Sequence, residues 1–135
     1  MTYALDSWAI LSWLDGEEPA ASRVEEVLTT RPIMNWVNLG EVFYVVMRRA
    51  GEREAERVIR SLRLRIAPDE ASVERVIGAA RIKAQYPMAL ADAFAISTAL
   101  AHRAVLLTGD PEILSVDGPW DSEDLRPSRK PSTSG

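Results

Sequence analysis

Residues 105–112 have the sequence "VLLTGDPE". Its aliphatic start predicts a short buried strand, and Gly109 with Pro111 predicts an abrupt end to that strand. Asp110 is a suitable cap for a following helix, because Pro111 is favoured at the first helical position. A buried strand thus delivers a carboxylate to its carboxyl end, where open parallel sheets bind ligands.

The same arrangement opens the chain. Residues 3–5, "YAL", predict a short strand that is followed by Asp6 and by the apolar helix "SWAILSWL". Further along, "PIMNWV" predicts a second buried strand, and an amphipathic helix is expected over residues 38–50. This alternation of strands and helices predicts a parallel sheet with helices on both faces.

The second half of the chain continues the alternation. "LRLRIA", residues 62–67, alternates apolar residues with arginine, which is typical of a half-exposed edge strand. Asp69 is expected to cap the next helix, and "ALADAFAISTALAHRA" predicts an Ala-rich helix that is covered on most sides. After a last short strand within residues 120–125, "RPSRKPSTSG" is rich in Pro and Ser. We therefore expect one domain over residues 1–125 and a disordered tail over residues 126–135.

Composition excludes several kinds of site. The 135 residues include no cysteine, which excludes disulfides, thiolate metal sites and cysteine nucleophiles. His102 is the only histidine, so a three-histidine zinc site is impossible, and its place after the Ala-rich helix suits a capping or surface cation. The N-terminus has no basic region and no apolar run long enough for a bilayer. We expect a cytoplasmic protein with no membrane association.

Four acids stand out by position, and each has a structural explanation. Asp6 follows the first strand, where it is a cap or a turn acid. Glu41 lies three residues after Asn38, the spacing of a capping box. Asp92 lies near the start of the Ala-rich helix, where the helix dipole stabilises it. Asp110 is the helix cap described above.

Together the four acids suggest a shared site as well as separate helix caps, because a doubly wound fold brings strand ends and helix starts to one edge of the sheet. Two carboxylates about 5 Å apart repel by roughly 3 kcal/mol at an effective dielectric constant of about 20. Such a cluster needs cations or shared protons. Oxygen ligands without His or Cys favour Mg²⁺ or Mn²⁺, ions that activate water for phosphodiester hydrolysis.

At this point the sequence resembles the PIN domain family, specifically the VapC-type toxins of toxin–antitoxin systems. The resemblance is carried by "LDSWAILSWL", "NLGEVFYVVMRR" and "LADAFAISTALAHRAVLLTGDPEIL", and it spans about residues 2–125. It implies a three-layer α/β/α sandwich with a four- to five-stranded, mainly parallel sheet. It also implies a Mg²⁺- or Mn²⁺-dependent endoribonuclease that cleaves RNA with a metal-activated water.

The resemblance also implies the site residues. The acids of the family, which are catalytic and bind the metal, fall on Asp6, Glu41, Asp92 and Asp110. Asp6 and Asp92 are the expected direct ligands. Glu41 would hold a ligand water or a second ion, or help to deprotonate the attacking water. Ser7 and Thr108 are expected to support the acids, and a turn or capping role explains both hydroxyls equally well.

Partners are implied in the same way: a VapB-like antitoxin, an RNA substrate and a homodimer. An antitoxin segment in a hydrophobic groove could push a basic side chain among the acids. Arg48 and Arg49 are the candidate RNA contacts, since they lie two turns beyond Glu41. They belong to a run of seven arginines that is otherwise explained as a solvated face: Arg48, Arg49, Arg53, Arg57, Arg60, Arg63 and Arg65.

Other interpretations stay open from the sequence. Trp8 and Trp13 fit core packing, but they also fit an aromatic groove for a helix or a base-stacking surface. An aspartyl-phosphate phosphotransferase would use Asp6 as its nucleophile, although a haloacid-dehalogenase-like enzyme needs a second Asp where this chain has Trp8. A PIN nuclease of RNA processing and a non-catalytic binding module are further alternatives. Asp117, Asp121, Glu123 and Asp124 are additional acids near the end of the domain.

Overall fold

A computed structural model describes residues 1–128. Its centre is a five-stranded sheet with strand order β3-β2-β1-β4-β5. Every neighbouring pair of strands is parallel. The strands are β1 (Tyr3–Leu5), β2 (Ile33–Asn35), β3 (Ala67–Asp69), β4 (Val105–Thr108) and β5 (Ser122–Asp124).

Helices cover both faces of the sheet. They are α1 (Ser7–Leu14), α2 (Ala20–Leu28), α3 (Trp36–Ala50), α4 (Glu52–Arg63), α5 (Val73–Gln85), α6 (Leu90–Ala101) and α7 (Pro111–Leu114). Successive strand residues point to opposite faces. Leu5 and Leu107 therefore join a core with α1 to α4, whereas Ala4 and Leu106 join a second core with α5 and α6. This architecture confirms the predicted three-layer α/β/α sandwich with a parallel sheet.

The parallel topology determines where the predicted site lies. Strands β1 and β4 are central neighbours, with Leu5 paired to Leu107. Asp6 and Thr108 therefore lie side by side at the same end of the sheet. Asp6 caps α1 by accepting a hydrogen bond from the backbone N–H of Ala9, at 2.9 Å. Asp110 caps α7, with Pro111 in the first turn, as the sequence predicts.

Three local predictions were wrong. The cap of α3 is Asn35, which accepts from the N–H of Val37, so Asn38 lies within the helix and forms no capping box with Glu41. The edge strand predicted over residues 62–67 is instead the end of α4 and a turn, and β3 begins at Ala67. The cap of α5 is Ser72, not Asp69. At both helix starts a different polar residue is the cap, and in residues 62–67 the helix α4 extends into the segment predicted as a strand.

Two further expectations concern the ends and the surface. Most of the tail predicted over residues 126–135 lies outside the described residues, which end at 128. His102 follows α6 as its C-terminal cap residue, as expected. Among the helices of residues 1–128, none combines the length and the apolar character that a bilayer crossing requires.

Candidate active site

Asp6 is the innermost acid of the site. Its side chain is almost fully buried, and its two oxygens accept hydrogen bonds from the N–H of Ala9 and the hydroxyl of Thr108. Burial raises the pKa of Asp6 to about 7 although both hydrogen bonds oppose the rise. The negative charges of Asp110 and Glu41 raise it further. Asp6 is therefore poised to exchange a proton for a cation near neutral pH.

Glu41 lies on α3 beside the start of α1. Its Oε1 accepts a hydrogen bond from the hydroxyl of Ser7, at 2.7 Å. Ser7 and Thr108 thus each contact one of the predicted acids, since Thr108 donates to Asp6. Thr108 also accepts from the N–H of Asp110, at 3.0 Å, so one hydroxyl links Asp6 to the loop that carries Asp110.

Asp92 lies in the first turn of α6 and is 8% exposed. Its Oδ2 is buried without a hydrogen-bond partner. Carboxylate oxygens of Asp92, Asp110 and Glu112 lie within 4.8 Å of one another. Burial raises the pKa of Asp92 to about 8, and the neighbouring Glu112 and Asp110 add to the rise. The raised pKa of Asp92 favours its protonated form at neutral pH.

Sequence analysis missed Glu112. The side chain is exposed, and its Oε2 accepts a hydrogen bond from the N–H of Ala89, at 3.0 Å. The pKa of Glu112 is lowered because Asp92 and the N–H of Ala89 hydrogen-bond its charged form. A usable signal was present, since "GDPE" puts an acid in the first turn of a helix whose cap is already a candidate site residue.

Asn38 was expected at a helix cap, but it instead links α3 to α6. Its Nδ2 donates to the backbone carbonyl of Ala91 at 3.0 Å, and its Oδ1 is buried without a partner. Ala91 directly precedes Asp92, so this bond fixes the start of the helix that presents Asp92. The available signal in the sequence was a polar residue, Asn38, on the helix face that carries Leu39, Val42 and Val46.

The loop after β4 is packed against α1. A Cβ atom on Gly109 would lie 2.2 Å from Cη2 of Trp8, which leaves no room for any side chain. Trp8 is half-buried and contacts the core below α1. Glycine at position 109 therefore allows the segment from Thr108 to Asp110 to lie directly against the indole ring.

The candidate RNA-binding arginines lie on the exposed end of α3. Arg49 forms an ion pair with Asp15 at 3.3 Å, and the guanidinium of Arg48 lies 5.2 Å from the centre of the Tyr44 ring. Three other members of the run also have partners: Arg57 contacts Glu54, Arg63 lies over Trp36 and Arg65 contacts Glu25. Much of the run is thus a solvated face with local pairing.

Asp69 ends β3 at the same edge of the sheet, but its carboxylate is fully occupied. It accepts from Arg75 at 2.7 and 3.1 Å, from Thr98 and Asn35 at 3.0 Å each, and lies 2.9 Å from Nε2 of His102. Although burial opposes it, these contacts hold the pKa of Asp69 well below its usual range. This hydrogen-bond cluster joins β2, β3, α5 and α6, and leaves no carboxylate oxygen for a ligand.

The remaining acids fit a divalent metal. All the side chains in question offer oxygen, which suits Mg²⁺ or Mn²⁺ better than softer ions. Asp92 has a buried oxygen without a donor. Burial, with a contribution from neighbouring acids, raises the pKa of Asp6 and of Asp92, and a bound cation would favour their charged forms. Two of the late acids have cationic partners instead, since Glu123 pairs with Arg23 and Asp124 pairs with Arg126.

Known structures share this fold. VapBC of Salmonella typhimurium bound to DNA aligns with a TM-score of 0.75 at 17% identity, over 93% of this chain and 99% of the other. VapBC-1 of nontypeable Haemophilus influenzae aligns with a TM-score of 0.67 at 22% identity, over 93% of this chain and 98% of the other. VapC20 of Mycobacterium tuberculosis is described as a Sarcin-Ricin loop cleaving toxin. It aligns with a TM-score of 0.68 at 12% identity, over 84% of this chain and 94% of the other. No curated protein sequence matches this one.

The sequence itself matches a family model. The model of the PIN domain covers residues 3–119, which include all strands except β5 and the acids Asp6, Glu41, Asp92, Asp110 and Glu112. The parallel sheet flanked by helices is the fold that the resemblance led us to expect. The chain is a member of the PIN domain family.

Proposed function

We propose that the protein is a Mg²⁺- or Mn²⁺-dependent endoribonuclease and the toxin of a VapBC-like toxin–antitoxin module. One observation carries this proposal: acids distant in the sequence converge at the carboxyl edge of the sheet, where Asp92 keeps a buried oxygen without a partner. Repulsion between the converging carboxylates is costly in a folded protein unless a cation is bound among them. Acids that served only as helix caps would not need to lie so close together.

Asp6, Glu41, Asp92 and Asp110 would hold the metal. When bound, the metal supplies positive charge to the phosphodiester and lowers the pKa of the attacking water. Thr108 orients Asp6 and the loop of Asp110 through its two hydrogen bonds. Ser7 orients Glu41, which accepts the proton of the water. The burial of Asp6 and Asp92 keeps competing solvent away from these oxygens.

RNA is the proposed substrate. Arg48 and Arg49 are exposed on α3, the helix that also carries Glu41, and would bind phosphates of the RNA. The description of VapC20 as a Sarcin-Ricin loop cleaving toxin supports RNA cleavage within this fold.

The proposed protein partner is a VapB-like antitoxin. A groove of about 260 Å³ runs between α1, α3 and α4, with Leu11, Val46 and Val58 among its apolar residues and Arg49, Asp15 and Glu54 among its charged ones. It suits an amphipathic helix. An arginine from that partner, placed among the acids, would supply the charge of the metal and block cleavage. Several structural neighbours are VapBC complexes, which supports this partner, and we propose a homodimer as well.

The test has two parts. Purified protein should cleave RNA in Mg²⁺ and lose this activity in EDTA, and Asp92→Asn should be inactive although it folds. Expression without the adjacent reading frame should arrest growth, and co-expression should relieve the arrest, with 5′ ends of cellular RNA mapped in both cultures. RNA cleavage without growth arrest would indicate a PIN nuclease of RNA processing instead. Absence of cleavage with intact metal binding would refute the nuclease proposal.

A further inference from the structure

Lys83 is the one lysine of residues 1–128, and the proposed mechanism leaves it without a role. It lies in the last turn of α5, where the helix dipole favours a cation. Its Nζ, however, donates a hydrogen bond to the backbone carbonyl of Met88 at 2.8 Å, beyond the end of that helix. The side chain is therefore directed toward the start of α6, the helix that carries Asp92.

The bond to Met88 puts Lys83 beside the acids of the site. The carbonyl of Met88 and the N–H of Ala89 belong to one peptide group, and that N–H donates to Oε2 of Glu112 at 3.0 Å. Lys83 and Glu112 thus approach the two ends of the same trans peptide. Asp92 and the N–H of Ala89 are the main causes of the lowered pKa of Glu112. The positive charge of Lys83 lowers that pKa further, which reflects the proximity of the two side chains.

The charge of Lys83 has no counter-charge within the described part of the chain. None of the ion pairs of residues 1–128 includes it, whereas several arginines are paired with acids. Its hydrogen bond to Met88 goes to a neutral carbonyl and uses one of the three N–H donors of the ammonium group. The side chain is exposed, so the other two donors can reach a ligand. Lysine binds phosphate as a compact point charge.

A polyanion that approaches this site needs such a cation. Carboxylate oxygens of Asp92, Asp110 and Glu112 lie within 4.8 Å of one another, and their charges repel phosphate. Helix α6 contacts both α3 and α5. The exposed arginines of α3 and Lys83 of α5 therefore lie on different flanks of the helix that presents Asp92. RNA that passes over Asp92 would meet a cation on each flank.

We propose that Lys83 binds a phosphate of the RNA substrate that neighbours the scissile one. This inference rests on the proposed function, because it adds an RNA contact to the same site. The peptide group between Lys83 and Glu112 keeps the ammonium away from the reacting atoms, so Lys83 contributes to binding and not to the chemical step. Removal of its charge should therefore raise KM and leave kcat nearly unchanged.

Salt-dependent binding of RNA to the full chain tests this contact. Fluorescence anisotropy of a labelled single-stranded polyuridine oligonucleotide is measured in Mg²⁺ over a series of KCl concentrations, with inactive Asp92→Asn as the parent protein. Lys83→Met in this parent should weaken binding roughly fivefold at about 0.1 M KCl and reduce the salt slope by about 0.7, the value for one phosphate of a single strand. Lys83→Arg retains a cation and should keep the slope of the parent.

Arg81→Met is the matched control. Arg81 is an exposed cation of the same helix, and its place two residues before Lys83 puts it on a different face. Its removal changes the net charge equally and should leave the salt slope unchanged. Cleavage kinetics of Lys83→Met without the Asp92→Asn change give a second measurement, in which KM should rise about fivefold and kcat should stay within about twofold. Melting temperatures report the loss of the Met88 bond separately.

Three results would overturn the inference. If Lys83→Met keeps the slope of the parent, Lys83 contacts no phosphate and only ties the turn before α6 to α5. Equal reductions in Lys83→Met and Arg81→Met would indicate a general effect of net charge. A lower kcat at an unchanged KM would show that Lys83 positions the helix of Asp92 and does not bind RNA. In all three cases the proposed nuclease stands, whereas a parent protein that binds no RNA at any salt concentration contradicts the RNA substrate as well.

Discussion

The hydroxyl of Thr108, the last residue of β4, donates a hydrogen bond to Oδ2 of Asp6, the residue that follows the neighbouring strand β1. The same hydroxyl accepts from the N–H of Asp110. A residue 102 positions away thus orients the innermost acid of the site. The contact depends on the parallel pairing of β1 with β4, which puts the two strand ends next to each other.

Thr108→Val tests this orientation with little change of shape. The variant leaves Oδ2 of Asp6 and the N–H of Asp110 without their partner, which costs about 1–3 kcal/mol for a buried group. We expect RNA cleavage to fall about 10- to 100-fold, as it does when groups that orient metal ligands are removed. Thr108→Ser retains the hydroxyl and should stay near wild-type activity. Wild-type activity in Thr108→Val, with a loss in Thr108→Ser, would show that the methyl group, and not the hydrogen bond, matters.

The raised pKa values predict how stability depends on pH. The pKa of Asp6 is about 7 and that of Asp92 about 8, both above the ordinary 3.8, so the folded protein binds these protons more tightly than the unfolded chain. In EDTA, the free energy of unfolding should therefore fall as the pH rises from about 4 to about 8. Asp69 contributes to the pH dependence of the free energy of unfolding only at lower pH, because its pKa is shifted downward.

Melting temperatures in EDTA at about pH 5 and about pH 8.5 measure this effect. We expect the lower value at the higher pH and a smaller difference for Asp6→Asn. Mg²⁺ should restore stability at the higher pH, where the carboxylates are ionised. A melting temperature that rises with pH would show that burial of these acids is less costly than the structure indicates.

Two glycines form a matched pair. Gly109→Ala should lower the free energy of unfolding by roughly 1–3 kcal/mol, because its Cβ would overlap the ring of Trp8. Gly40→Ala, in the exposed part of α3 with nothing within 4 Å, should raise it by about 0.5–1 kcal/mol. Urea unfolding measures both. Trp8→Phe should offset part of the loss in Gly109→Ala, and strictly additive effects would contradict the contact.

The Asp69 cluster should be structural. Asp69→Ala leaves Arg75 largely buried without its carboxylate, and we expect a loss of roughly 3 kcal/mol in urea unfolding. Asp124→Ala breaks an exposed pair with Arg126 and should cost no more than about 1 kcal/mol. Mn²⁺ affinity should be unchanged in folded Asp69→Ala. A weakened Mn²⁺ affinity in that variant would instead connect Asp69 to the site.

The salt dependence of RNA binding tests the arginines of α3. Arg48→Ala together with Arg49→Ala should weaken the affinity of inactive Asp92→Asn protein for RNA, and should lower the salt slope by about 2. Arg81→Ala with Arg103→Ala provides an exposed control pair elsewhere on the surface. If both pairs give the wild-type slope, Arg48 and Arg49 do not contact phosphates, and their contacts with Tyr44 and Asp15 are their main role.

The fold was predictable because its strongest signals are local. Residues 105–112 and 3–7 combine an aliphatic strand, a capping acid and a helix start, and the structure has all three at both places. The predictions failed where two local patterns compete. In residues 62–67, the alternating arginines suggested a strand, but Leu62 and Val58 at helical spacing bury α4 against the core. Burial of that helix face outweighed the alternation.

The site was predictable only in part, because sequence spacing gives no distances. The motifs select Asp6, Glu41, Asp92 and Asp110 as candidates, and the topology explains why these residues lie at one edge of the sheet. Topology alone would also select Asp69, which ends a neighbouring strand but is neutralised by Arg75. It would not select Glu112, whose proximity to Asp92 depends on the packing of two helix starts against each other. Such packing is a tertiary property.

The dual position of Asp6, as cap of α1 and as acid of the site, has a practical consequence for mutagenesis. Replacement by alanine would fray the first turn of that helix while it removes the carboxylate, so an inactive protein would not reveal which loss was responsible. Asparagine retains an oxygen for the N–H of Ala9 and an amide group that can donate to Thr108. Only this substitution isolates the charge of residue 6 from its contribution to folding.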